Sequence, residues 1–176
     1  MERIISDSSA LILLSKCDLL ELICDLFEVI VPTSVVNEVA SDGLVSKYPD
    51  AARIANLISK GLLKTQNPGT AKFKLPLSLH RGEEDGLRLA LELGNAIFAT
   101  DDGKAIRATK FLNIPFIITP KMVIDLFRLE RITFVKARQS IEKLGKIGRY
   151  SPEIIAESVL SLMEVKNGKA HNHKDS

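Results

Sequence analysis

Several acidic residues stand where a short apolar run ends, and such carboxylates are suited to holding a divalent cation or activating water. Asp7 follows the run Arg3–Ser6, and Asp101-Asp102 follow Ala96–Thr100. Each has a purely structural alternative. Asp7 can cap the helix that begins after it, although Ser8 and Ser9 are equally able to do so. Asp102-Gly103 favours a capped turn, but one acid suffices for that, and two adjacent acids repel unless a cation relieves them, with one of the pair as a direct ligand. Glu38 lies between Val35-Val36 and Val39, at the border of an apolar helical stripe, which suits a residue pointing into a cleft as well as one on a solvated face. Glu83, Glu84 and Asp85 start another helix, where acids also complement the helix dipole.

The donor set is restricted to oxygen. Cys17 and Cys24 sit in an apolar helical pattern and read as small hydrophobes rather than a disulfide or ligand pair. His80 is the only histidine in the globular portion, because His171 and His173 fall in a polar end that makes them poor metal ligands. No Gly-rich phosphate loop and no Ser-His-Asp arrangement competes. Carboxylates without imidazole or thiolate favour Mg2+ or Mn2+ over zinc.

The elements that must position these acids alternate. Arg3–Ser6, Glu28–Val31, Leu62–Thr65, Ala96–Thr100 and Pro115–Thr119 read as strands, being brief, partly β-branched and bounded by breakers. Helical spacing links Leu11, Leu14, Leu19, Leu22, Ile23 and Leu26, then Val35 to Val39 after Pro32, then Ala51 to Ile58, Leu87 to Leu93 and Ile106 to Leu112. Alternation of this kind predicts an α/β fold: a three-layer α/β/α sandwich around a five-stranded parallel sheet. In such a sheet ligands gather at the carboxyl ends of strands where strand order reverses, so Asp7 and Asp102 would face each other if the first and fourth strands are neighbours. Gln66 to His80, with Pro68-Gly69, Lys72, Lys74 and Pro76, is too long and polar for an ordinary connection, and reads either as a functional loop or as a tolerated insertion.

After Pro120 the strand signals stop, and Val123 to Leu129, Phe134 to Leu144 and Pro152 to Met163 predict C-terminal helices, the last opened by Ser151-Pro152-Glu153. The expected organisation is a domain over 1–130, a helical extension over 131–165 and a frayed polar tail over 166–176. With 24 Lys and Arg against 22 Asp and Glu, the net charge of +2 neither demands nor excludes nucleic acid. Asp7 interrupts what a secretion signal would need, and no run approaches about 20 apolar residues, so the expectation is a cytoplasmic protein with no membrane partner.

Taken together, Ser6-Asp7-Ser8-Ser9-Ala10-Leu11, the Pro32 to Val39 segment with Glu38, Gly82-Glu83-Glu84-Asp85-Gly86-Leu87 and Ala99-Thr100-Asp101-Asp102 resemble the four acidic motifs of PIN domains, in order and spacing. The resemblance covers about residues 3 to 130, and Gly148-Arg149-Tyr150-Ser151-Pro152 is similar to a mainly prokaryotic PIN subgroup of nucleic-acid-binding or toxin-like proteins. It implies a magnesium- or manganese-dependent ribonuclease acting on RNA, VapC-like, with a co-expressed antitoxin and a homodimer as implied partners. By position it implies Asp7, Glu38, Asp85 and Asp102 as the catalytic acids, with Asp101 as a further metal ligand; Asp85 best matches the third acid and Glu83 comes second. Ser8 or Ser9 and Thr100 match hydroxyl positions that would orient water or ligand, and Arg81, Lys104, Arg107 and Lys110 either hold an RNA backbone or form a solvated face.

Three rival readings meet these residues. A haloacid-dehalogenase-type phosphotransferase needs a second Asp where this chain has Ser9. A receiver domain needs an acid after the third strand, where Leu63-Lys64-Thr65-Gln66 has none, although Lys121 after the fifth strand is suggestive. The third rival is a PIN-like module that binds RNA or protein without cutting, against which the presence of every acid speaks.

Overall fold

The structure is a computed structural model and describes residues 2–70 and 78–172. Lys72, Lys74, Pro76 and His173, singled out from the sequence, lie outside the described residues. The chain divides into two compact units, Met1–Ile118 and Thr119–Ser176.

In the first unit, β1 (Arg3–Ser6), β2 (Glu28–Val31), β3 (Leu63–Thr65), β4 (Ala96–Ala99) and β5 (Phe116–Ile117) form one sheet in the order β3-β2-β1-β4-β5. Every pairing is parallel. The connecting helices are α1 (Ser8–Lys16), α2 (Leu20–Leu26), α3 (Thr33–Val39), α4 (Asp42–Val45), α5 (Pro49–Ser59), α6 (Arg81–Leu93) and α7 (Gly103–Phe111). The expected α/β/α sandwich with a five-stranded parallel sheet is the architecture found. Its core follows from double burial: Ile5, Ile30, Phe98, Leu87 and Leu89 are each at most 3% exposed, as strands covered on both faces require.

The long apolar pattern from Leu11 to Leu26 proves to be two helices. Asp18 takes a left-handed conformation (φ 58°) between α1 and α2, which redirects the chain without interrupting the apolar spacing. α6 lies close on the sheet at Gly86, where a Cβ would come within 2.6 Å of the ring of the fully buried Phe98. Alanine gains about 1 kcal/mol over glycine in a helix, whereas overfilling a packed core costs about 1–3 kcal/mol. Gly86→Ala is therefore expected to lower stability, by up to about 2 kcal/mol in denaturant unfolding; a more stable variant would show that the ring yields freely.

The second unit comprises α8 (Thr119–Arg128), α9 (Phe134–Ile147) and α10 (Pro152–Asn172). The first compact unit ends at Ile118, and α8 groups with the later helices. Residues 166–172, expected to fray, continue α10 instead. Lys169 donates to the Phe127 carbonyl (3.1 Å) and pairs with Glu130, while Lys166 lies 4.2 Å from the Phe134 ring centroid, so cationic contacts substitute for the missing apolar periodicity. Among the described residues, no helix is long and apolar enough to cross a membrane.

Candidate active site

Strand order reverses between β1 and β4: β2 and β3 lie beyond β1, and β5 beyond β4. The register pairs Ser6 with Ala99, and the ladder continues one step further as the Asp7 amide donates to the Ala99 carbonyl (3.1 Å). The residues leaving the two strands, Asp7 and Thr100, are consequently side by side. The Thr100 hydroxyl donates to Asp7 Oδ2 (2.5 Å) and accepts from the Asp102 amide (3.1 Å), joining acids 95 positions apart in the chain through one oxygen.

Asp7 is 2% exposed. Its Oδ1 accepts from the Ser9 hydroxyl (2.7 Å) and, as N-cap of α1, from the Ala10 amide (2.9 Å). Burial pushes its pKa up to about 6 against the opposing effect of these hydrogen bonds, and the nearby Asp101 charge adds to the rise. Ser9 also ties in Asp101, whose amide donates to its Oγ (3.0 Å). Asp102 caps α7, its Oδ1 accepting from Lys104 and Ala105 amides (2.7 and 3.0 Å). Both strand-end acids therefore cap helices, as their alternative reading had it, and Thr100 ties the Asp7 carboxylate to the Asp102 main chain.

Two helices bring the remaining acids. Glu38, on α3, accepts from the Ser8 hydroxyl and from the Gly82 amide at the start of α6 (3.3 Å). A Cβ at position 82 would stand 2.9 and 3.0 Å from the Glu38 carboxylate oxygens, so glycine there is what permits this approach. On α6, Glu83 accepts from the His80 amide (3.0 Å). Its pKa is raised, first by burial and then by the charges of Asp102 and Glu38.

Asp85, expected as the third acid, points in a different direction from Glu83. Two residues along a helix turn a side chain by about 200°, and Asp85 Oδ2 accepts from the Ser34 hydroxyl (2.7 Å) on α3, with Arg81 Nε at 3.8 Å. Glu83, the second choice from sequence, is in electrostatic reach of Asp102 and Glu38. The expected substrate contacts also change. Thr100 is fully buried and bonded to Asp7, and Ser8 is bonded to Glu38, so each holds an acid in place. Lys104 contributes its backbone to the Asp102 cap and is exposed, and Lys110 stacks over Phe116. Gly82 and Ser34 were not anticipated; the Gly before the acidic triplet was their one visible sign.

A family model described as PIN domain matches residues 3–165. The chain belongs to the PIN-domain family. Members are generally nucleases and typically use divalent metals, so the fold is of a nuclease type. No curated protein matched the sequence. The donors of this PIN domain suit such an ion chemically, being carboxylates and hydroxyls only, and the buried Asp7 carboxylate has no cationic partner among the described residues. The acids stand in hydrogen bonds rather than in a preformed cage: among the described residues, no three His, Cys, Asp or Glu side chains are grouped to hold a metal ion.

Proposed function

We propose that this PIN domain is a Mg2+- or Mn2+-dependent ribonuclease that hydrolyses RNA phosphodiester bonds at the β1–β4 switch point. The link from the Asp7 carboxylate through Thr100 to the Asp102 main chain carries the reading, since it sets both strand-end residues at the place where a parallel sheet presents ligands. Asp7 and Asp102 would hold the ion, with Glu83, Glu38 and Asp101 beside them. When bound, such an ion lowers the pKa of a coordinated water and offsets charge on the phosphate oxygens.

The protein's own groups do the positioning. Thr100 and Ser9 fix both Asp7 oxygens, so ordering of that carboxylate precedes substrate arrival. Ser8 and the Gly82 amide do the same for Glu38, which with Glu83 would complete the acidic surroundings of the ion. RNA as substrate is supported by the four-motif resemblance and by family membership.

The test is cleavage of a labelled RNA in Mn2+ or Mg2+, with a DNA of the same sequence alongside. We expect RNA products that chelation prevents, and a loss of at least about a hundredfold in Asp102→Asn. Asparagine caps as well as aspartate, so that variant keeps the start of α7. Equal cleavage by Asp102→Asn would point to a contaminant and remove the reading.

A further inference from the structure

Beside the acids, and on the same two helices, lies a polar cleft of about 770 Å³ lined by Ser34, Asn37, Asn67, Arg81 and Asp85. Its volume is in the range of small-ligand sites. Resting on the ribonuclease reading, we infer that this cleft seats one nucleotide of the RNA strand next to the cut and reads its base through Asp85 and Asn37, favouring bases that carry an amino group over uracil.

The argument starts from what each group has left to offer. Asp85 Oδ2 is taken by Ser34 and lies near Arg81, leaving Oδ1 as an acceptor without a partner among the described residues. The Asn37 side-chain amide, on the next turn of α3 and one residue before Glu38, makes no hydrogen bond among the described residues. Asn67 is fixed in the cleft wall, its Oδ1 accepting from the Thr33 amide (2.9 Å). Arg81 extends into solvent, its side chain 86% exposed, where it can meet a phosphate. A fixed carboxylate oxygen beside an amide is a donor–acceptor pair suited to a Watson–Crick edge, the part of RNA that single-strand readers use.

The chemistry of the bases sets the preference. Adenine and cytosine each present an exocyclic amine that can donate to Asp85 Oδ1 beside a ring nitrogen that accepts from the Asn37 side-chain amide, and guanine presents its amine beside an N–H that can donate to the Asn37 side-chain carbonyl. Uracil flanks its single N–H with two carbonyl oxygens, which a carboxylate repels. Asp85 thus acts as a specificity residue at the flank of the acid site. Its position is set by continuity, since Asn37 adjoins Glu38 on α3, and Arg81 and Asp85 flank Gly82 and Glu83 on α6.

The experiment measures binding without cleavage, using the full chain in EDTA and short fluorescent RNAs of equal length composed of A, C or U. We expect the A and C oligomers to bind about tenfold more tightly than the U oligomer. Asp85→Ala and Asn37→Ala should each bring the A and C affinities down towards that of U, with melting curves confirming that both variants fold. A preference that survives both substitutions overturns the inference, as does equal binding of all three RNAs by the unaltered chain. So does an Asp85→Ala protein that keeps the preference but loses its metal response, because Asp85 would then be a metal ligand. Protein that shows the preference yet cuts no RNA supports base reading while sinking the ribonuclease proposal.

Discussion

Asp7→Asn should remove metal-dependent RNA cleavage by at least about a hundredfold while making the metal-free protein more stable at neutral pH. The second half follows from burial. The folded-state pKa of Asp7 is about 6 against an ordinary value of 3.8, so between those limits the folded chain holds a proton that the unfolded chain has released. Stability consequently falls as pH rises through that window, and above about pH 6 the whole cost of a buried charge is present. Two units correspond to about 3 kcal/mol, an upper bound on the gain from asparagine, whose Oδ1 can still accept from Ala10 but whose Nδ2 cannot accept from Thr100. The signature is opposite movement: melting temperature up in chelator, activity down in Mn2+. A cation must displace the proton from the same carboxylate, so cleavage by the unaltered protein should decline as pH drops below about 6. Activity that holds to pH 4 would contradict a role for Asp7 as ligand.

The second large effect separates two neighbours in α6. Glu83→Gln should abolish the rise in melting temperature that Mn2+ produces, along with cleavage, because Glu83 shares the field of Asp102 and Glu38. Asp85→Asn should keep that thermal shift, since the Asp85 carboxylate is already engaged by Ser34 and Arg81. If the pair behaves the other way round, the third acid is Asp85, as its position in the motif implied. Either result is read from a melting curve with and without metal, independently of any RNA.

The contrast shows which features were legible in the sequence. β1 and β2 begin and end where their apolar runs do, because strands buried on both faces leave an unbroken signal. The first and fourth strands could be nominated as neighbours because each ended in an acid. Helix phase was harder to read. Three consecutive acids at the start of α6 sweep most of a turn, and which one faces the cleft depends on how Gly82 and Gly86 set the helix against Glu38 and Phe98. The break at Asp18 was hidden because the apolar spacing runs through it. α4 has no buried residue, so it left no periodicity to find. The last strand is shorter than its apolar run, because Thr119-Pro120 opens α8, as a proline in the first turn allows. The end of α10 was missed because lysines on aromatic rings, not apolar spacing, secure it.

The sheet's margins carry a final consequence. β5 offers two residues and β3 three, with Lys64 in the middle of the latter. A foreign strand attempting to extend the sheet would find only two or three backbone positions to pair with, and on one side a charged side chain among them. Growth into fibrils by edge addition should therefore start slowly even in concentrated solution, leaving the folded protein resistant to that route of aggregation.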